Sequence, residues 1–296
     1  MSKKIIITGA SGGFGQLTVQ GLLKAGHTVV GTMRGVEGRN KAAAATLTEA
    51  GAKVVEMDVT DDQSVEAGVT KAIELLGGLD VVINNAGVGS IGMLEHHTPE
   101  DFRKLFEVNV FGVQRVNRAA LPHLRQQGSG TILFVSSLLG RVTLPFYGVY
   151  NATKWALEAL AENYRIELST FGIEVCLIEP GGYATAFGEN LIPASDQSRN
   201  ESYGEFMKMP EQMFGGFVEA LNNNPNQKPE FVADAMVAVV NKPVGEKPFR
   251  TVIDTMGMGE LVKQANDVQD NITSTMYGNF GIDGLLKVQS AAKTEG

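Results

Sequence analysis

Near its start the chain carries an apolar run, Ile5-Ile6-Ile7, that leads directly into Thr8-Gly9-Ala10-Ser11-Gly12-Gly13-Phe14-Gly15, where helical spacing begins. A strand, a glycine-dense turn and a helix in that order constrain the fold more than any other feature. The glycines permit a tight turn and a close approach of backbone to an anionic group, which the positive end of the helix then favours. Such a chain is expected to hold a diphosphate at the carboxyl end of its first strand.

The same beat continues. Val/Ile-rich runs without polar alternation lie at residues 5–8, 28–33, 53–57, 80–83, 131–135 and 173–179, as expected of parallel strands buried on both faces. Helical stretches at 14–25, 39–50 and 62–76 separate the first four and end at Gly26, Gly51 and Gly77, residues suited to closing a helix. Thr98-Pro99-Glu100-Asp101 supplies an N-cap, a proline in the first turn and acidic residues at the positive end, so a long helix is expected over 99–127. Strand and helix alternating in this way predict an α/β fold, a doubly wound parallel sheet with helices on both faces. Beyond residue 188 the beat changes to Met/Phe-rich helical segments, read as a helical lid over 188–228. A helix at 229–240 and a strand at 249–253 complete one domain over 1–254. Residues 255–296 form a C-terminal extension whose end, 291–296, is expected to be mobile.

Composition narrows the function. Lys+Arg 25 against Asp+Glu 33 gives a net charge of −8, which repels polyanions, and no basic patch offsets it, so nucleic acid is not an expected partner. No apolar run reaches the ~18 residues of a membrane span and no signal peptide is apparent, so no membrane partner is expected. One cysteine, Cys176, cannot form an intrachain disulfide, and the four histidines show no metal-ligand spacing. A cytoplasmic protein without a metal is the expectation.

Tyr150 and Lys154 stand four apart in a helical stretch over 150–171, on one face of one helix. A free tyrosine titrates near ~10, and a neighbouring ammonium lowers that value by stabilising the phenolate, which makes the pair a candidate acid-base device. At the end of the second strand, Met33-Arg34 places no carboxylate where one would bind both ribose hydroxyls of a dinucleotide. It offers instead a guanidinium suited to a 2′-phosphate.

These motifs together resemble the short-chain dehydrogenase/reductase family over roughly residues 3–254: Gly9, Gly13 and Gly15 in Gly-x-x-x-Gly-x-Gly spacing, Asp58-Val59, Asn84-Asn85-Ala86-Gly87, Ser137, Tyr150, Lys154 and Pro180-Gly181-Gly182-Tyr183-Ala184-Thr185. The resemblance implies a Rossmann-like fold and an NADPH/NADP cofactor. Gly9, Ser11, Gly13, Phe14 and Gly15 would cradle its diphosphate, Asp58, Val59, Asn85, Ala86 and Gly87 its adenosine, and Arg34 its 2′-phosphate. Met33 falls where NAD-specific members carry Asp. Pro180, Gly181, Tyr183 and Thr185 would face the nicotinamide, with Thr185 on its carboxamide. Ser137 would orient a substrate carbonyl, Tyr150 protonate it and Lys154 bind the nicotinamide ribose, while Asn109 would support a water-linked proton path. Tyr147 competes for the same lysine, at the spacing of enoyl-thioester reductases. The resemblance to ketoreductases favours Tyr150 and leaves Tyr147 lining the substrate side.

Ile91, Met93, Leu94, Leu138, Leu139, Val142, Leu144 and Phe146, with Phe187, Phe206, Met207, Met209, Met213, Phe214 and Phe217 of the lid, make an apolar carbonyl compound or its alcohol the expected substrate. A homodimer through the helices at 99–127 and 150–171 is implied by the resemblance, with the extension covering a second surface. A binding protein sensing NADP(H) without catalysis is the alternative from another class, disfavoured because Ser137, Tyr150 and Lys154 are all present.

Overall fold

The computed structural model describes residues 1–289. Seven strands form one sheet: β1 Lys4–Thr8, β2 Thr28–Met33, β3 Lys53–Glu56, β4 Val81–Asn84, β6 Gly130–Val135, β7 Ile173–Pro180 and β9 Arg250–Ile253. Their order is β3-β2-β1-β4-β6-β7-β9 and every pairing is parallel. The order reverses between β1 and β4, so a crevice opens at the carboxyl ends of those two strands. The expected Rossmann-like doubly wound sheet is what the chain forms.

Alternate strand residues face opposite layers, because successive side chains point to opposite faces. Ile6, Val30, Val82, Ile132 and Phe134 pack with Val65, Val69, Val116, Leu124 and Leu157 of the helices α3 Asp62–Leu76, α5 Gly112–Gln127 and α6 Gly148–Leu168. Ile5, Ile7, Val29, Val81, Ile83 and Leu133 face Val19, Leu22, Leu47, Val232 and Met236 of α1 Gly13–Lys24, α2 Lys41–Glu49 and α9 Glu230–Asn241. Gly26, Gly51 and Gly77 close α1, α2 and α3 at positive φ, as their sequence positions predict. Thr98 and Asp101 form a reciprocal capping box at the start of α4 Pro99–Phe106.

Three features depart from the sequence expectations. The helix expected over 99–127 is interrupted, because a π-turn, Glu107–Phe111, separates α4 from α5 and carries Asn109 inward. Ser90–Ile91 (β5) and Ile192–Pro193 (β8) pair as a small second sheet that ties the lid to the loop after β4. Two-residue strands leave no periodicity to read. The lid itself contains α7 Asn200–Tyr203 and α8 Met209–Asn222.

The C-terminal extension is not a plain tail, since Gly259–Asn279 forms α10, a 21-residue helix. Its inward face is largely polar. Asn266 donates to Glu179 and accepts from Arg141, and Asp270 pairs with Arg250 of β9. Val262 is the apolar side chain buried with them. Such a helix lacks the apolar stripe by which amphipathic helices announce themselves. The segment 291–296, expected to be mobile, lies outside the described residues. Among the described residues, no helix is long and apolar enough to cross a membrane.

Candidate active site

The crevice is built by lacing the ends of β1 and β4 together. The Thr8 hydroxyl accepts from the backbone amides of Asn85 (3.1 Å) and Ala86 (3.0 Å), and the Asn85 amide donates to the carbonyls of Thr8 (2.9 Å) and Gly9 (3.1 Å). The chains are then so close that side chains do not fit. A Cβ on Gly9, at φ +66°, would lie 2.8 Å from Ala86 Cα, and one on Gly15 would lie 2.3 Å from the Gly9 carbonyl oxygen. Gly12, on the outer side of the turn, has nothing within 4 Å. The loop thus presents bare backbone at the N-terminus of α1, a cradle that fits a diphosphate. Thr8 is a positioning residue that motif reading passes over, although it begins the motif.

At the end of β2, Arg34 extends toward Asp58, with its guanidinium 3.4 Å from the carboxylate. Burial would raise the Asp58 pKa, but hydrogen bonds from Thr60 and the charge of Arg34 outweigh it and hold the carboxyl below its ordinary range. Two adenosine-side candidates therefore meet. Met33 does not join them: its side chain is 3% exposed and packs in the core. Val59 likewise packs under the site, against Gly112. Glu56 was not anticipated; it accepts from the amides of Gly35 (2.6 Å) and Val36 (2.7 Å) and shapes the loop that carries Arg34.

Ser137 follows β6, and Tyr150 and Lys154 enter from the first turns of α6; all three are 8% exposed or less. The Lys154 Nζ donates to the Val135 carbonyl at 2.8 Å and stands 5.6 Å from the centroid of the Tyr150 ring. The sequence reading expected this ammonium to lower the Tyr150 pKa. Burial instead pushes the phenol well above its ordinary value, opposed by the Ser137 hydroxyl and reinforced by Tyr147. Burial also pulls Lys154 down to about 8, against the pull of Glu158. Both charged forms are disfavoured here because low dielectric penalises each. Tyr147, just before α6, stacks edge-on to Tyr150 with centroids 6.5 Å apart, and burial raises it to about 12.

Asn109 reaches the same place from the π-turn. Its amide donates to the Val88 carbonyl (2.8 Å) and the Thr153 hydroxyl (3.0 Å), and its oxygen accepts from the Val88 amide (2.9 Å). Three of its four hydrogen bonds are therefore spent holding the loop after β4 against α6. Gly87 fills the space between, and a Cβ there would be 3.4 Å from Asn109 Oδ1 and 3.9 Å from Lys154 Nζ.

Pro180 ends β7, and the segment after it crosses back over the cradle. Thr185 comes within 3.3 Å of where a Gly13 Cβ would lie, so the two ends of a dinucleotide site face each other. Gly181 and Gly182 are required by their neighbours: Cβ atoms would meet Asp254 Oδ1 at 2.3 Å and the Phe217 ring at 2.0 Å. Tyr183 turns away from the cleft, its ring edge-on to Phe14 and its hydroxyl donating to the Ile253 carbonyl, which leaves only its backbone for a ligand. Phe187 covers Tyr150, with centroids 5.6 Å apart. Phe146, the one non-glycine among the described residues at positive φ (66°), contacts Phe206 of the lid. Such backbone strain persists where surrounding structure enforces it, often beside a functional site.

The lid is latched at its base by Asp101, whose Oδ2 accepts from the Ser195 amide (3.1 Å), the Ser195 hydroxyl (2.5 Å) and the Thr98 amide (3.0 Å). Burial would raise this carboxyl, but those hydrogen bonds outweigh it and hold it at about 2.

The sequence and the fold are similar to those of known proteins. A family model described as short chain dehydrogenase matches residues 3–196. The 3-ketodihydrosphingosine reductase of Bacteroides thetaiotaomicron is 38% identical over 202 residues, 68% of this chain and 71% of that protein. Among solved structures, a short-chain dehydrogenase from Streptomyces avermitilis is similar at a TM-score of 0.75 and 29% identity, covering 95% of this chain and 98% of that one. An alcohol dehydrogenase from Thermococcus sibiricus, complexed with 5-hydroxy-NADP, is similar at a TM-score of 0.67 and 28% identity, covering 86% and 97%.

The latch makes a prediction. Because the folded carboxyl titrates below its unfolded value, its contribution is fully present above ~4 and is lost as pH falls through about 2. Asp101→Ala removes it at neutral pH. A hydrogen-bonded buried charge contributes ~1.5–3 kcal/mol, so limited proteolysis within the lid should accelerate roughly tenfold or more. An unchanged cleavage rate would show that the small sheet alone holds the lid.

Proposed function

The chain belongs to the short-chain dehydrogenase family, and from that premise we propose that it is an NADPH-dependent oxidoreductase reducing mainly apolar ketones or aldehydes to alcohols, reversibly. The observation that carries this reading is the burial of Ser137, Tyr150 and Lys154 side by side, next to a backbone cradle that side chains cannot enter. Gly9, Ser11, Gly13, Phe14 and Gly15 would hold the diphosphate. Asp58 and the backbone of Val59, with Asn85, Ala86 and Gly87, would hold the adenosine, Arg34 the 2′-phosphate, and Thr185 with the backbone of Pro180, Gly181 and Tyr183 the nicotinamide end. When bound, NADPH supplies hydride to the carbonyl carbon.

The residues do the rest. Burial keeps the proton on Tyr150, which is the form a general acid needs for reduction. The phenol gives that proton to the carbonyl oxygen, and the Ser137 hydroxyl donates to the same oxygen and orients it. The Lys154 ammonium stabilises the phenolate that results and donates to the ribose hydroxyls, and Asn109 keeps the loop beside it in place. Leu191, Met213 and Phe214 pack with Tyr147 and Tyr150, and Phe187 covers Tyr150, an apolar wall that suits an apolar substrate. The Bacteroides relative is named for a keto substrate, in agreement.

We also place the protein in the cytoplasm, since its one cysteine, Cys176, is free and buried, and read it as a homodimer through α4, α5 and α6. Light scattering at micromolar concentration should give twice the monomer mass, and a monomer alone would contradict the dimer.

Tyr150→Phe should lower turnover by roughly 10²–10⁴-fold while NADPH still binds, and Tyr147→Phe should chiefly change KM; assays over a panel of aldehydes, ketones and enoyl thioesters decide. The reverse pattern would move the assignment to enoyl reduction. For the cofactor, Arg34→Ala removes a charge-assisted contact of ~1.5–3 kcal/mol, so fluorescence titration should show NADPH weakened roughly ten- to hundredfold and NADH little changed. Equal loss for both nucleotides would show that Arg34 does not read the 2′-phosphate.

A further inference from the structure

One helical turn along α6 from Lys154 begins a buried ionic cluster that takes no part in the steps above. Glu158 follows Lys154 by one helical turn on α6, and its side chain is 3% exposed. Arg250 of β9 sets its Nε 3.2 Å from Glu158 Oε2 and 3.4 Å from Glu179 Oε1 of β7. The rest of that guanidinium pairs with Glu162 of α6 and, at 2.7 Å, with Asp270 of α10. Asn266 of α10 donates to Glu179 Oε2 at 2.6 Å and accepts from Arg141, on the loop after β6, at 2.7 Å. Gly140 of that loop closes the top, where a Cβ would stand 2.8 Å from Ser136 Oγ, 3.0 Å from Glu158 Cγ and 3.2 Å from the Lys154 carbonyl oxygen.

Buried carboxylate oxygens are normally hydrogen-bonded, yet Glu158 Oε1 has no hydrogen-bond partner among the described residues and Glu179 Oε1 has only its 3.4 Å ion pair with Arg250. Two carboxyls flanking one guanidinium nitrogen each oppose the other's ionisation, and burial adds to that. We propose that Glu158 is a positioning residue for the Lys154 ammonium, and that the Glu158–Arg250–Glu179 clamp, closed by Asn266 and Asp270, makes the C-terminal helix part of the catalytic apparatus. This rests on the reading of Lys154 given above.

The charges facing Glu158 agree in sign. From α6 come Lys154, Glu162 and Arg165, from β7 Glu179, from β9 Arg250, from α10 Asp270 and from the loop after β6 Arg141, beside the neutral Ser136. Burial lowers Lys154 to about 8, and Glu158 pulls it back up. Burial raises Glu158, which Ser136, Arg250 and Arg141 oppose, whereas burial and then the Glu158 charge raise Glu179 to about 8. The Arg250 guanidinium, 3.2 Å from Glu158 Oε2, favours the negative charge on Glu158, one helical turn from the lysine. Removing that charge makes the ammonium easier to deprotonate, so activity that needs the ammonium fails at lower pH.

The test is the pH profile of carbonyl reduction for the full-length enzyme and two isosteric variants, with thermal melts and NADPH titration alongside. Glu158→Gln should shift the descending alkaline limb down by about one unit, a loss of roughly tenfold at alkaline pH and much less near neutrality. Glu179→Gln leaves Glu158 fully ionised, so its limb should stay or move up. A Glu158→Gln profile superimposable on the wild type, an equal loss at every pH with a lowered Tm, or a downward limb in Glu179→Gln would each overturn the proposal. If Glu158→Gln does not fold, the limb of Glu179→Gln decides alone. Lys154→Met separates the layers: full turnover in that variant would refute the role of Lys154 itself, whereas its inactivity with an unshifted Glu158→Gln limb would refute only the clamp.

Discussion

The close approach of β1 to β4 at their carboxyl ends governs the whole cleft. Thr8 and Asn85 hold the two strand exits together by four hydrogen bonds, each contributing about 1 kcal/mol net and more when its loss would strand a buried partner. That spacing leaves no room for a Cβ at Gly9 or Gly15, so the loop can only be backbone. Backbone amides at a helix N-terminus are what an anionic diphosphate requires. The topology does the rest, because the strand order reverses at this pair and opens a crevice there.

Burial sets the electrostatics in a second layer. Tyr150, Lys154 and Glu158 recur every four residues on α6 and so lie on one inward stripe. Low dielectric favours the neutral form of each, raising Tyr150 and Glu158 and lowering Lys154. A lysine meant to act as an ammonium in such a place depends on nearby negative charge. The carboxylate one helical turn away, Glu158, is held by Arg250, and Arg250 in turn reaches α10 through Asp270. The lid adds a steric layer, with Phe187 over Tyr150 and a strained Phe146 against Phe206.

Much of this was legible in the residues. Strand positions followed from β-branched runs that alternate with helices, and β2 and α3 fell on the expected boundaries. The cradle was legible because glycine has few other reasons to cluster after a strand. The pairing of Tyr150 with Lys154 followed from helical spacing. What escaped were features without local periodicity: the two-residue strands β5 and β8, the π-turn under Asn109, and α10, whose inner face is polar because it meets a charged cluster rather than a core. Met33, read only as a position without a carboxylate, is the last residue of β2 and its side chain points into the core.

By itself the amino-acid sequence determined the parallel sheet, the glycine cradle and the candidate acid with its lysine, because strand, turn and helix preferences act within a few residues of each other. Only the tertiary structure decided the charge states in the site and the partners that set them. Glu158, Glu179, Arg250 and Asp270 come from four elements spread over more than a hundred residues, and no local spacing links them. The direction of each pKa shift depends on desolvation and on the charge opposite, and both exist only once the chain has closed around them.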